Sequence, residues 1–142
     1  MTGVQTCALP ISFSPLQWIY WYDKPAMYKD EPEVEFFRQV PTVWDETKVI
    51  GGEIGTFAII ARRSGYQWFI GTIHNSQPRQ LQIPLDFLDK DRKYTASIYS
   101  DDQTVQTKTK VGIDRRPVDF RTILDVPFMA GGGQAIWIQP AQ

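Results

Sequence analysis

Two pairs of neighbouring carboxylates, one histidine, one cysteine and a triple glycine are the residues of this sequence whose types could do chemistry. Asp45-Glu46 and Asp101-Asp102 each set two acids side by side. Paired carboxylates suggest general acid–base work. In a strand, however, neighbouring side chains point to opposite faces, so Asp45 and Glu46 would not flank one scissile bond. Pairing with Lys48, Arg62 or Arg63 is the simpler reading. Asp101-Asp102 could ligate a cation, but calcium needs several further oxygen ligands, and a solvated turn accounts for the pair. His74 ends an apolar run and has no evident serine or cysteine partner for nucleophilic catalysis; it reads as structural or exposed. Gly131-Gly132-Gly133 is not followed by the Lys and Ser/Thr of a phosphate loop, and it precedes a strand rather than a helix; it reads as a turn. Arg115-Arg116-Pro117 reads as a charged corner. The residues therefore give no catalytic, cofactor-binding or metal-binding set.

The 142 residues suit one domain of ordinary size plus a remnant of another. Hydrophobic residues at 42% and charged ones at 22% describe a globular chain. With 15 basic and 16 acidic residues, no cationic excess exists to neutralise phosphates, so nucleic acid is not an expected partner. No apolar run approaches the roughly 20 residues of a membrane-spanning helix, and no membrane partner is expected. The single cysteine, Cys7, excludes an internal disulfide framework. Aromatic residues reach 13%, with five Trp and six Tyr. Buried aromatics, a sugar-stacking platform and a domain interface are the readings this leaves open.

The elements that would position these residues are strands. Residues 54–63, 66–74 and 79–85 are three runs rich in β-branched and aromatic residues or alternating in polarity. They are separated by Ser64-Gly65 and by Asn75-Ser76-Gln77-Pro78, which predicts an antiparallel meander. Before them, residues 43–50 predict a strand and Gly51-Gly52 a flexible corner. After them, strands are predicted over residues 93–100, 106–114, 122–128 and 134–140. Alternating Thr and Lys mark residues 106–114 as an edge, since lysine on an edge discourages further pairing. About eight strands spaced by roughly 8–14 residues predict two packed antiparallel sheets, with a partly closed barrel as the alternative. The expected class is all-β, a two-sheet β-sandwich.

The chain ahead of the strands differs. Residues 1–11 are too short, and lack the basic start, for a signal peptide. They resemble translated sequencing-adapter read-through, so they are expected to be non-biological and Cys7 to have no role. Trp18, Ile19, Tyr20, Trp21 and Tyr22 are consecutive, and no periodicity divides them into faces. Such a cluster marks a contact surface, either against a domain now lost or for stacking on sugar. Residues 32–40 predict a short helix, with Pro32 in the first turn and Phe36, Phe37 and Val40 as its apolar face. Pro41 ends it.

Taken in order, several segments carry a resemblance. They are Ser14-Pro15-Leu16-Gln17, Phe36-Phe37-Arg38-Gln39-Val40-Pro41 and Val43-Trp44-Asp45-Glu46-Thr47-Lys48-Val49, followed by Gly52-Glu53-Ile54-Gly55, Ile60-Ala61-Arg62-Arg63-Ser64-Gly65, Trp68-Phe69-Ile70-Gly71, Leu85-Asp86-Phe87-Leu88, Tyr94-Thr95-Ala96 and Gly131-Gly132-Gly133-Gln134-Ala135. From Ser14 onward the chain resembles the C-terminal end of glycoside hydrolase family 97. The resemblance implies a parent enzyme with an N-terminal β-sandwich, a catalytic (β/α)8 barrel and a C-terminal all-β domain. That parent would be periplasmic or secreted, bind calcium near the sugar and cleave α-glucosidic or α-galactosidic bonds of oligosaccharides. Its catalytic carboxylates and calcium ligands would lie upstream, so no catalytic residue and no cofactor carries over. The implied division is residues 12–41 as the end of the barrel with a connecting helix and residues 42–142 as the C-terminal sandwich. Trp18, Tyr20, Trp21, Tyr22, Phe36 and Phe37 are then the candidates for the contact with the missing barrel. The alternative function is an autonomous carbohydrate-binding module, which needs two or three exposed aromatics in a row on one sheet face or groove; if Trp44, Trp68 and Trp137 are all buried, only the N-terminal cluster could serve.

Overall fold

A computed structural model of the chain describes residues 3–12, 31, 33–75, 77, 79–107, 109–128 and 133–141. It holds helices α1 (Gly3–Ser12) and α2 (Val34–Gln39) and strands β1 (Glu46–Glu53), β2 (Phe57–Ser64), β3 (Gln67–His74), β4 (Arg79–Pro84), β5 (Tyr94–Asp101), β6 (Val111–Val118), β7 (Ile123–Phe128) and β8 (Gly133–Pro140). The strands form a six-stranded sheet in the order β1-β2-β3-β8-β5-β6 and a two-stranded sheet of β4 and β7. Every pairing is antiparallel. The sandwich expected from the sequence is what forms.

One face of the large sheet meets the small sheet. Ile59, Ala61, Trp68, Ile70, Ala96, Ile98, Ile136 and Ile138 from the first pack with Ile83, Leu124 and Val126 from the second. Each occupies every second position of its strand, because period two sends alternate side chains to one face. Leu85 and Leu88 continue the layer beyond β4, and both are buried.

Three expectations are corrected. The predicted meander breaks after its second strand: β3 pairs with β2 and β8, while β4 leaves to pair with β7. β8 takes the central place because Ala135, Ile136, Trp137 and Ile138 are all buried, and a strand apolar on both sides belongs inside a sheet covered on both sides. The corner expected at Gly51-Gly52 lies within β1. The register skips Ile50 there, with Val49 opposite Ile60 and Gly51 opposite Ile59. This β-bulge absorbs one residue and lets the strand run on to Glu53. The turn falls instead at residues 54–56, where Gly55 has φ +75°, a conformation that glycine adopts without steric penalty.

The third correction concerns the edge strand. It does not begin at Gln106 but at Val111, and it runs through the predicted corner Arg115-Arg116-Pro117 to Val118. Local side-chain bonds hold the residues before it in a loop. Asp102 Oδ1 accepts from the Thr104 amide at 2.8 Å and from its hydroxyl at 2.6 Å. Thr107 Oγ1 accepts from the Lys110 amide, and Lys110 has φ 51°. Thr and Asp side chains that bond nearby backbone compete with strand pairing in this way. Pro117 is tolerated because β6 is an edge, where the missing N–H removes no ladder bond.

Helix α2 starts two residues later than its predicted span. Its end is as expected: Val40 is extended ahead of Pro41, at φ −66° and ψ 120°, while its amide still donates to the Phe36 carbonyl.

Candidate interaction surfaces

The carboxylate pairs serve structure. Arg63 Nε donates to Glu46 Oε2 at 3.1 Å, Lys48 lies 3.0 Å from Glu46 Oε1, and Asp45 Oδ2 accepts the Gly65 amide at 2.7 Å. Asp45 also sits 3.6 Å from Arg63. Lys48 and then Arg63 hold the Glu46 carboxyl below its ordinary range. Asp102, with its Thr104 bonds, is the turn acid that the sequence suggests, and those bonds likewise lower it. His74 is buried at the end of β3. No group of three or more His, Cys, Asp or Glu among the described residues could hold a metal. The donor set among the described residues does not fit the calcium that the resemblance implies for the parent.

The described residues do present two surfaces. The first is the outer face of the large sheet. Phe69 and Gly71 on β3, Tyr99 on β5, Val111 on β6 and Ala135 and Trp137 on β8 point away from the sandwich core and form a second apolar layer with α1 and α2. Phe36 is fully buried there, with ring centroids 5.2 Å from Tyr99 and 6.1 Å from Phe69, both edge-on. Trp44 meets Phe69 at 5.4 Å, and Trp137 stacks on Phe69 at 6.4 Å while its indole N–H donates to Gln67 at 2.7 Å. Cys7, Ala8 and Ile11 of α1 are fully buried. The helix comes so close to β3 that a Cβ on Gly71 would lie 2.9 Å from the Ala8 carbonyl oxygen. Sequence reasoning sets residues 1–11 aside; in the structure Gly3–Ser12 covers the middle of the sheet.

This layer confines polar groups. Burial, helped by the charges of Glu33 and Asp101, pushes the Cys7 thiol far above its ordinary range. Burial first, then Glu35, does the same to the Tyr99 phenol, whose hydroxyl has no hydrogen-bond partner among the described residues. Glu33 is fully buried, and burial raises its carboxyl more than the Thr109 hydroxyl lowers it.

The second surface is at the free end of the β1–β2 hairpin. Val49 and Ile54 are exposed, the latter completely, beside an open groove of about 580 Å3 lined also by Phe57, Ala58, Ile73 and His74.

Of the six contact residues taken from the sequence, Trp18, Tyr20, Trp21 and Tyr22 lie outside the described residues. Phe36 is buried against the chain's own sheet, and Phe37 is half-buried beside it. The sequence reading missed Phe69, Tyr99 and Trp137. The signal was present: the unbroken apolar runs Trp68-Phe69-Ile70 and Ala135-Ile136-Trp137-Ile138 lack the alternation of a strand with one wet face.

Two packed antiparallel sheets with an apolar outer layer define the class as a β-sandwich domain. The family described as glycosyl-hydrolase 97 C-terminal, oligomerisation, matches residues 43–139, and the chain belongs to it. Over 122 residues the chain is 33% identical to a retaining alpha-galactosidase of Bacteroides thetaiotaomicron, covering 82% of this chain and 18% of the relative. Over 62 residues it is 36% identical to a probable retaining alpha-galactosidase of Streptomyces bingchenggensis, covering 43% and 10% respectively. Among solved structures it is similar to a glycoside hydrolase family 97 enzyme of Pseudoalteromonas sp. strain K8 in complex with acarbose, with TM-score 0.68 and 29% identity over 76% of this chain and 18% of that one. A beta-arabinopyranosidase gives TM-score 0.64 and 26% identity over 80% and 18%. The chain thus spans less than a fifth of the relatives it matches.

Proposed function

We propose that this chain is the non-catalytic C-terminal domain of a longer α-glycosidase, and that it packs against and stabilises the catalytic barrel of that enzyme. The parent hydrolyses α-galactosidic or α-glucosidic bonds; the retaining alpha-galactosidase relatives support the first. In this reading residues 12–41 are the end of the barrel with its connecting helix, and Trp18, Tyr20, Trp21, Tyr22, Phe36 and Phe37 form the contact. The parent's calcium and catalytic acids belong to the upstream part. The observation that carries the reading is that β3, β5 and β8 are buried on both faces. One face is satisfied by the sandwich core, and the other is covered by α1 and α2, of which α2 belongs to the segment that leads back to the barrel in this reading. The description of the family adds self-association as a second role for the domain.

Two measurements test this. The chain alone leaves p-nitrophenyl α-galactoside and α-glucoside intact, and clear turnover would overturn a non-catalytic role. Mixed with a family 97 barrel lacking its own C-terminal domain, the chain binds and raises the melting temperature of the barrel; an unchanged melt would argue against docking. The carbohydrate-binding alternative finds little support in the described residues. Trp68 and Trp137 are 4% and 5% exposed, and Trp44 is half-buried with the Arg62 guanidinium 5.6 Å from its ring centre. That reading would rest on Trp18, Tyr20, Trp21 and Tyr22, and titration with maltooligosaccharides followed by Trp fluorescence decides it.

A further inference from the structure

The two edges of the large sheet differ. β6 exposes Asp114, Arg115, Arg116 and Pro117, the charges and the missing donor that keep an edge from pairing. β1 is the other edge, and among the described residues β2 is its one strand neighbour. From Val49 to Gly52 it carries no charge, and Val49 is 74% exposed. The charges that flank this stretch, Lys48 and Glu53, and the bulge at Ile50 restrict which strand can pair there.

From these edges we infer that β1 pairs antiparallel with β1 of a second copy about a twofold axis between Ile50 and Gly51, joining two large sheets into one. The inference rests on the reading of the chain as an accessory domain with a self-associating role, and it names the surface. The bulge at Ile50 sets the register. In a regular strand Lys48 and Glu53, five positions apart, would point to opposite faces. With Ile50 skipped, Lys48 stands opposite Ala61 and Glu53 opposite Phe57. Ala61 and Phe57 both belong to the sandwich core layer, so Lys48 and Glu53 share a face. They lie about 16 Å apart along the strand. Across the proposed axis each Lys48, which lies 3.0 Å from Glu46 of its own strand, also faces Glu53 of the other copy, giving two cross-strand ion pairs on one face. On the opposite face Val49 stands over Gly52 of the other copy, whose missing side chain leaves room for it. An isologous contact requires this reciprocity, in which residue i meets j and j meets i.

Sedimentation equilibrium on the whole chain tests the inference, at protein concentrations from about 1 to about 100 μM. A concentration-dependent dimer is expected. Lys48→Glu and Glu53→Lys each weaken it roughly tenfold or more, because symmetry places each like-charge clash twice. The double variant Lys48→Glu/Glu53→Lys restores the affinity to within about threefold of the original. Val49→Lys weakens the dimer independently of the charge pair. Thermal melts close to the parent chain confirm that the variants fold. A monomer at every concentration overturns the inference, as does a dimer indifferent to the single reversals or one the double variant fails to restore. Barrel docking uses the other sheet surface, so a monomer that still stabilises the barrel overturns the dimer alone, while loss of barrel binding overturns the accessory-domain reading.

Discussion

Glu33 is the side chain whose environment departs furthest from the habits of its type. A carboxylate is stable in water, yet this one is buried between α2 and the loop that carries Thr109. Burial raises its pKa above the ordinary value near 4.5, so the folded chain holds the proton more tightly than the unfolded chain does. The sign follows from linkage: below the ordinary value both states are protonated and the group is neutral to stability. As pH rises through that value the unfolded chain ionises first, and stability falls until the folded-state pKa is also passed. Glu33→Gln removes this decline. Urea midpoints of the variant should match those of the parent chain near pH 4 and exceed them at pH 7; equal midpoints at pH 7 would refute the buried charge. Glu46 behaves oppositely. Its pKa is lowered by Lys48 and Arg63, so its contribution is present above the ordinary value and disappears as pH falls through the lowered one. The burial of Glu33 was not legible beforehand, since in the sequence it is one acid near the start of a predicted helix. What the residues did reveal was the ion pairing of Asp45 and Glu46, because strand alternation and nearby cations restrict what such a pair can do.

Helix α1 shows what an element contributes that its sequence does not announce. Residues 1–11 resemble adapter read-through in the sequence, yet Cys7, Ala8 and Ile11 are fully buried on the large sheet. The helix fits because Gly71 offers no side chain beneath it. A methyl group there must push against the Ala8 carbonyl, and overpacking of this sort costs about 1–3 kcal/mol. Local opening of α1 then becomes roughly ten- to a hundredfold more frequent. Cys7 reports it directly, being the one cysteine of the chain and shielded by the same contact. Gly71→Ala should accelerate its reaction with a thiol reagent by that factor under native conditions, and an unchanged rate would mean that α1 does not rest on β3 in solution. The edge strand β6 teaches the converse. Its Thr-Lys alternation begins too early in the sequence, because Asp102 and Thr107 divert residues 102–110 into a loop through bonds that period-two patterning does not register.

In the molecule as a whole, two sheets share one core, and Leu124 sits in it with 1% exposure against the larger sheet. Leu124→Ala should destabilise the chain by about 3 kcal/mol, lowering the melting temperature by roughly 10 °C. A loss below about 0.5 kcal/mol would mean that the small sheet packs only loosely. Stability and function separate here: the core between the sheets makes the domain, while the proposed partners meet the side covered by α2 and the β1 edge. The sequence by itself determined the all-β class, the place of seven of the eight strands to within a few residues, the turn at Ser64-Gly65 and the end of β3 at His74. Alternation, β-branched content and glycine act between residues close in the chain, so a linear reading captures them. Only the tertiary structure decided that β8 enters between β3 and β5, that β4 abandons its neighbour for β7, and that a bulge at Ile50 turns Lys48 and Glu53 to one side. Those choices depend on which strands meet across long stretches of chain. The deciding contacts are between side chains far apart in sequence, where one slipped residue reverses every face.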